Sequence, residues 1–451
     1  MVSGSGDRGK ITERSNTMRI LHTSDWHLGV SSGMASRVPE QREFLAWLYG
    51  QLERLEIDAL IIAGDVFDTM HPSAEAQTLY YQFLATVAET GVRDVVVIGG
   101  NHDSPSRLDA AHDVLQVLRV HVVGGIPTAE KTIERMLIPL RRRGSGEVGA
   151  VCLAVPYVHE YRLGVRTSGL DRDNTRTQFR TRFGELYTQL ADAAETQFPG
   201  IPMVATGHLT LGTGSKREDY PLEIHRVGTI EGLPPELLDP RIAYTALGHI
   251  HRCYPVDKST AWYCGTPIPY SITEMDCPRR VLQVDFEEDA EPRVHPITVP
   301  LQRELLRLTG EPEEVLDAIQ ALEWSTPLPP LVYIQVLTPM AVPGLERRLH
   351  EAVEAHPAGA RPILVEARQR STLAEDEAED QVLPSLEELS TTEVFGLLCD
   401  ARQFPDDMRA ELREAFEVAK GTQGAALEQF LDAIHTPVQR ADLHLQREGK
   451  S

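Results

Sequence analysis

No apolar run in these 451 residues approaches the ~18 needed to cross a bilayer. The first seventeen residues are polar and mixed in charge, without the hydrophobic core of a signal peptide. Residues 1–17 therefore read as a disordered extension, or Met18 is the true start. Five cysteines (Cys152, Cys253, Cys264, Cys277 and Cys399) form no CxxC pair and are odd in number. That argues against a disulfide framework and for the cytoplasm. The spacing of Cys253, Cys264 and Cys277 is too wide to suggest a thiolate metal cluster. No GxxxxGK[ST] loop is present, so any ATP hydrolysis linked to this chain must come from another. Positive charge is also scarce, 44 Lys and Arg against 67 Asp and Glu, a net −23. The deficit is uneven, because residues 371–400 hold nine acids and no Lys or Arg. A local groove can still be basic, since anion binding follows the local field rather than the total.

What is present is a spaced series of acid, amide and histidine clusters. They read Asp25-Trp-His27, Gly64-Asp65, Gly100-Asn101-His102-Asp103, Gly207-His208 and Gly248-His249-Ile-His251. Nearly every cluster follows a short apolar run of the kind that forms a buried strand, such as Ala59 to Ala63 or Val95 to Ile98. The clusters are thus expected together at the C-terminal edge of a sheet, where open α/β folds place their sites. Any one histidine alone would read as a packing or capping residue; five clusters after five strands do not. Hard oxygen donors mixed with imidazoles suit two manganese, iron or zinc ions better than calcium, and such pairs serve phosphodiester hydrolysis. The glycines before Asp65, Asn101, His208 and His249 fit a chain that turns sharply beside a metal. His22 and His71 lie close enough in sequence to back the site, though packing or surface roles are their default.

At these residues the sequence resembles the calcineurin-like phosphoesterases, and more narrowly the SbcD family of bacterial nucleases. The stretches His22-Thr-Ser-Asp25-Trp-His27-Leu-Gly29, Gly64-Asp65-Val-Phe-Asp68-Thr69, Gly99-Gly-Asn101-His102-Asp103-Ser104 and Gly248-His249-Ile-His251 carry the resemblance. It implies Asp25, His27 and His251 on one metal, Asn101, His208 and His249 on the other, and Asp65 bridging them. It implies that His102 contacts the scissile phosphate and protonates the leaving oxygen, with Asp103 orienting its ring. Asp68 stands where some relatives carry a second histidine, and is expected behind the ligands. Two divalent ions, manganese by preference, would be the cofactors. The activity implied is double-strand exonuclease and single-strand or hairpin endonuclease in DNA end processing; a small-molecule phosphodiesterase is the alternative.

The expected fold is α/β: a layered central β-sheet flanked by helices over 18–283, then a small α+β cap at 284–370 that positions DNA. Helices are expected at Phe44 to Leu55 and Ala74 to Thr90, and a loop over 162–183. An acidic linker, 371–385, precedes helical patterns in 386–451 that would pack on the parent domain or, by preference, on a partner, which the resemblance implies is an SbcC-like coiled-coil ATPase. A homodimer within a heterotetramer is implied by the resemblance, its interface a helical surface in the first hundred residues. Candidate DNA-backbone contacts are Arg107, Arg141 to Arg143, Lys216-Arg217 and Arg279-Arg280, though a solvated surface role is the default for each. The segment Trp262 to Tyr270 reads evenly as a substrate-side turn or a structural one.

Overall fold

Four apolar runs become neighbouring parallel strands: Met18–Thr23, Ala59–Ala63, Asp94–Ile98 and Val120–Val123. The computed structural model in which they are seen describes residues 17–33, 35–127, 132–165, 172–212, 232–287, 290–340, 342–357 and 361–371. Residues 1–16, Lys216-Arg217, the linker beyond 371, Cys399 and the expected helices of 386–451 lie outside the described residues. The runs show no polar alternation because both faces of their sheet are covered. Ile20, Ile61, Val96 and Ile98 face a second sheet. Leu21, Leu60, Ile62, Val95 and Val97 face helices Val38–Arg54 and Ala74–Val87, meeting Phe44, Leu48, Tyr80 and Phe83. Strand Arg280–Phe286 returns to pair antiparallel with Met18–Thr23, and Arg293–Thr298 completes six strands.

The central layer is therefore double. The second sheet also has six strands, with Ile242–Gly248 and Met203–His208 at its centre, parallel to each other and flanked by Ala261–Tyr263 and Val148–Leu153. Its outer face is covered by helix Arg172–Gln197. The loop expected over 162–183 is thus corrected from 172 onward. Its polar composition hides a stripe, Phe179, Phe183, Leu186, Tyr187 and Leu190, spaced as one helical face.

Beyond residue 300 a three-stranded sheet forms from Leu305–Gly310, Leu331–Thr338 and Ile363–Ser371. Strict alternation buries Val332, Ile334 and Val336 against helices Pro312–Gln320 and Leu345–Glu354. Leu305 and Leu331 meet Ala35, tying this sheet to the first 300 residues. A buried ion cluster reinforces the tie: Glu40 lies 2.6 Å from Arg37 Nε and 3.5 Å from Arg303 Nε. Arg37 also donates to Ser32 Oγ and to the Pro269 carbonyl. Removing Glu40 would strand two buried guanidinium groups, and breaking such a pair costs about 3–5 kcal/mol. Glu40→Ala is expected to lose stability on that scale in denaturant unfolding; a loss below about 1 kcal/mol, that of an exposed pair, would contradict this.

Candidate metal centre

Five polar clusters meet because five parallel strands end side by side. Asp25 and His27 follow Met18–Thr23, Asp65 follows Ala59–Ala63, and Asn101 and His102 follow Asp94–Ile98. From the second sheet come His208, closing Met203–His208, and His249 and His251 after Ile242–Gly248. The sheets touch here: His208 Nδ1 lies 2.9 Å from the Ala63 carbonyl. Asp25 N–H donates to the Gly64 carbonyl and His27 N–H to that of Asp65. His249 N–H donates to Asp25 Oδ1 at 2.8 Å, and His102 N–H to Asp65 Oδ1 at 2.9 Å. The backbone is bent to achieve this. Among the described residues seven non-glycines have left-handed φ, and four of them are Asp25 (52°), His27 (42°), Asp65 (47°) and His249 (87°). Such conformations cost energy and concentrate at functional sites.

Ligand atoms lie within 4.8 Å of one another in three overlapping groups: Asp25, His27 and His251; Asp25, Asp65 and His208; His27, Asp65 and His102. Asp25, His27 and Asp65 each belong to two of them. Asn101 Oδ1 lies 3.0 Å from both His208 Nε2 and His249 Nδ1. The tautomers can be assigned from the outer partners. A carbonyl only accepts, so His208 Nδ1 carries hydrogen and its Nε2, when neutral, has a lone pair. That lone pair faces Asp65 Oδ2 at 3.2 Å and Asn101 Oδ1, both acceptors. His251 Nδ1 donates to Glu274 Oε1 at 2.7 Å, and His102 Nδ1 to the Asp68 carbonyl at 2.8 Å, so both rings keep a free Nε2. Asp25 Oδ2 and His27 Nε2 are buried without a hydrogen-bond partner. Converging acceptors repel unless a cation lies among them, so the donor set fits divalent metal.

The same field shapes protonation. Burial would raise the Asp65 carboxyl, but His208, His27 and His102 outweigh it and hold it far below the usual carboxylate range. Burial works against protonating His208, yet Asp65 lifts it to about 9. His27 is likewise disfavoured by burial but lifted to about 8 by Asp68, Asp65 and Asp25. His249 is pushed down to about 3 by burial and by His208.

All seven residues expected as ligands lie in this cluster, with His102 beside them. Asp68 is close behind: its carboxylate is 3.4 Å from His27 Nδ1 and its carbonyl fixes His102. Asp103 is a correction. Its carboxylate turns back to accept backbone N–H from Val66, Phe67 and Gly100 at 2.9–3.0 Å, and Asp68 orients the His102 ring instead. Asp103 pins the turn, as the tight loop aims the side chains of neighbouring residues apart. Arg279 and Arg141 are not open backbone contacts either. Arg279 is buried against Glu274 and the His251 and Cys277 carbonyls, and Arg141 pairs with buried Asp94. His22 is a core residue, 2.9 Å from Tyr244 Oη and lowered to about 3 by burial. His71 is exposed. Sequence reasoning missed Glu274, which steadies His251, and the role of Tyr270. The Tyr270 ring centroid lies 5.4 Å from that of His27, its hydroxyl donates to the Trp26 carbonyl, and Arg37 sits over its ring. Only its place in the turn-rich 262–270 segment hinted at it.

A family model described as calcineurin-like phosphoesterase matches residues 18–253. Another, described as type 5 capsule protein repressor C-terminal domain, matches residues 301–403. The chain is 30% identical over 408 residues to the SbcD component of the SbcCD nuclease of Escherichia coli (strain K12), spanning 88% of this chain and 97% of that protein. Identity to the SbcD of Rhodobacter capsulatus is 34% over 353 residues, 75% of this chain and 85% of the relative. For the SbcD of Bacillus subtilis it is 33% over 280 residues, 61% and 68% respectively.

Metal binding at these residues must displace the protons of His208 and His27, whereas His249 already lacks one. Affinity for a divalent ion is therefore expected to climb as pH rises through about 8 and to level off above about 9. Calorimetric titration in buffers of different ionisation enthalpy would count the released protons. Affinity that is flat across this window would contradict the assignment.

Proposed function

The chain belongs to the calcineurin-like phosphoesterases, within them to the SbcD nucleases, and from that premise we propose a manganese-dependent DNA nuclease acting on ends and hairpins. It is a metal-dependent phosphodiesterase. Its finer activities, double-strand exonuclease and single-strand or hairpin endonuclease, are part of the proposal. The observation that carries it is the buried Asp65 carboxylate, grouped with His27 and His102 after strands of its own sheet and with His208 from the other.

In this reading Asp25, His27 and His251 hold one ion, Asn101, His208 and His249 the other, and Asp65 is shared. The mixed oxygen and imidazole donors suit manganese, iron or zinc, and manganese is the ion of this proposal. Two such ions supply Lewis acidity at the phosphoryl oxygens and lower the pKa of the attacking water. The chain's own work is orientation and proton transfer. Asp68 fixes the His102 ring through its carbonyl, so that in its imidazolium form the ring would meet the phosphate with Nε2–H, give that proton to the departing oxygen and end neutral with Nδ1–H still on the carbonyl. Glu274 and Ala63 fix His251 and His208 in the same way, each holding an Nδ1–H.

The wider assembly belongs to the same proposal. Residues 18–283 form the nuclease domain, 284–370 a cap that positions DNA, 371–385 a linker and 386–451 the segment that binds an SbcC-like ATPase. The relatives are named as one component of SbcCD, which supports that partner. Homodimerisation is supported by helix His112–Val117 and the residue after it, which leave Val114 (72% exposed), Val117 (83%) and Leu118 in solvent. This patch lies outside the first hundred residues, where the interface was expected. No helix among the described residues is long and apolar enough to cross a membrane, and the cysteine pattern supports the cytoplasm.

With manganese, the purified chain is expected to degrade an end-labelled linear duplex. His102→Ala should lower the rate by about 10²–10⁴-fold while retaining the metal. A variant that cuts at the parental rate would remove His102 from the chemistry. An intact duplex beside hydrolysis of a small phosphodiester would leave the metal centre and discard DNA as the substrate of this chain alone.

A further inference from the structure

The chain leaves strand Met18–Thr23 through a strained turn. Asp25 and His27 both have left-handed φ, 52° and 42°, with Trp26 between them. Non-glycine residues enter that region at a cost, so two of them around one residue persist only where neighbours fix the backbone. On one side Trp26 is fixed by its own side chain. The indole donates to Thr23 Oγ1 at 2.9 Å and packs nearly perpendicular to Phe44 and Phe83, with centroids 5.9 and 5.4 Å away. On the other side its carbonyl accepts from the Tyr270 hydroxyl, 244 residues away in sequence. Tyr270 is held in turn. Its N–H donates to Glu274 Oε2 at 3.1 Å, and Arg37 donates to the Pro269 carbonyl at 2.8 Å while lying 5.8 Å from the Tyr270 ring centroid. The other oxygen of Glu274 holds His251. The Tyr270 ring also lies nearly perpendicular to His27, at 5.4 Å, and to His251, at 6.3 Å. One side chain thus meets the Asp25–His27 turn and both imidazoles of one ligand set.

We propose that Tyr270 is a positioning residue for the ion on Asp25, His27 and His251, and that its hydroxyl does the positioning. By holding the Trp26 carbonyl it keeps the strained turn closed, so that Asp25 and His27 face His251 before the ion arrives. Without the hydroxyl, the carbonyl of a fully buried residue loses this donor. The turn then relaxes toward ordinary φ and carries both ligands away from His251. His208, in the other ligand set, takes its outer hold from the Ala63 carbonyl instead, so the effect falls on one ion position. The inference rests on the two-ion reading and adds to it an inequality between the two positions.

The test titrates manganese into the full chain and follows binding by calorimetry. Tyr270→Phe deletes only the hydroxyl and is expected to weaken one of two binding steps about tenfold, leaving the other unchanged. Tyr270→Leu, which deletes the ring as well, should weaken the same step at least as much. In a His251→Ala background, where that position has already lost a ligand, Tyr270→Phe should add little. The proposal is overturned if Tyr270→Phe takes up both ions as the parent does, or weakens both steps alike. It is overturned too if only Tyr270→Leu weakens binding, which would credit ring packing, or if Tyr270→Phe costs as much beside His251→Ala as alone. Parental chain that takes up a single ion sinks the two-ion reading. Weakening of that ion by Tyr270→Phe would still uphold the role of the hydroxyl, and no weakening would overturn it.

Discussion

The contact on which the structure depends is the one between the His208 ring and the Ala63 carbonyl, 2.9 Å apart. It joins the end of a strand in one sheet to the end of a strand in the other. Without that junction the ligands fall into two half-sets, Asp25, His27, Asp65 and Asn101 from the first sheet and His208, His249 and His251 from the second. Neither half could surround two ions. The close approach explains why glycine stands at position 64: a Cβ there would lie 2.3 Å from His208 Nδ1, on a backbone already at φ +86°. Gly100 has the same reason, since a Cβ would lie 2.1 Å from Asp65 Oδ1.

The geometry is held from outside the ligand set. Four ligand residues adopt left-handed φ, and each is tied by its own or a neighbour's backbone hydrogen bonds. Asp103 gathers three N–H groups of the Asp65 and Asn101 turns, so the two loops are stitched together before any ion arrives. The Arg37, Glu40 and Arg303 cluster does comparable work at longer range. It links helix Val38–Arg54 to the Pro269 carbonyl beside Tyr270 and to the start of the sheet beyond residue 300. Any shift of that sheet is thus felt at the residues lining the site, which favours a rigid frame around the reacting groups.

The legible part of the sequence was the part written in short range. An apolar run followed directly by Gly-Asp or Gly-His states both the strand and the residue at its edge, so the fold class and the gathering of ligands could be read. The doubling of the central layer could not, because strands buried on both faces read alike whether the second layer is helix or sheet. Glu274 was invisible for a related reason: it follows no strand and lies 23 residues after the ring it holds. Asp103 misled because adjacency in sequence is not adjacency in space. Arg279 misled because a basic pair suggests surface, while its guanidinium turns inward to the Glu274 carboxylate and to the His251, Glu274 and Cys277 carbonyls. The first half of the helix from Arg172 was concealed by its polar residues, its buried positions making sense only against the second sheet.

In the proposed reading these features put the Asp65 carboxylate, shared by two ions, at the centre of the chemistry. The most direct measurement is electron paramagnetic resonance of the full chain titrated with manganese, with bound metal counted in parallel. Two manganese ions per chain and an exchange-coupled signal are expected, since one carboxylate joins them. A single ion per chain, or two with the independent spectra of separated sites, would contradict a shared Asp65.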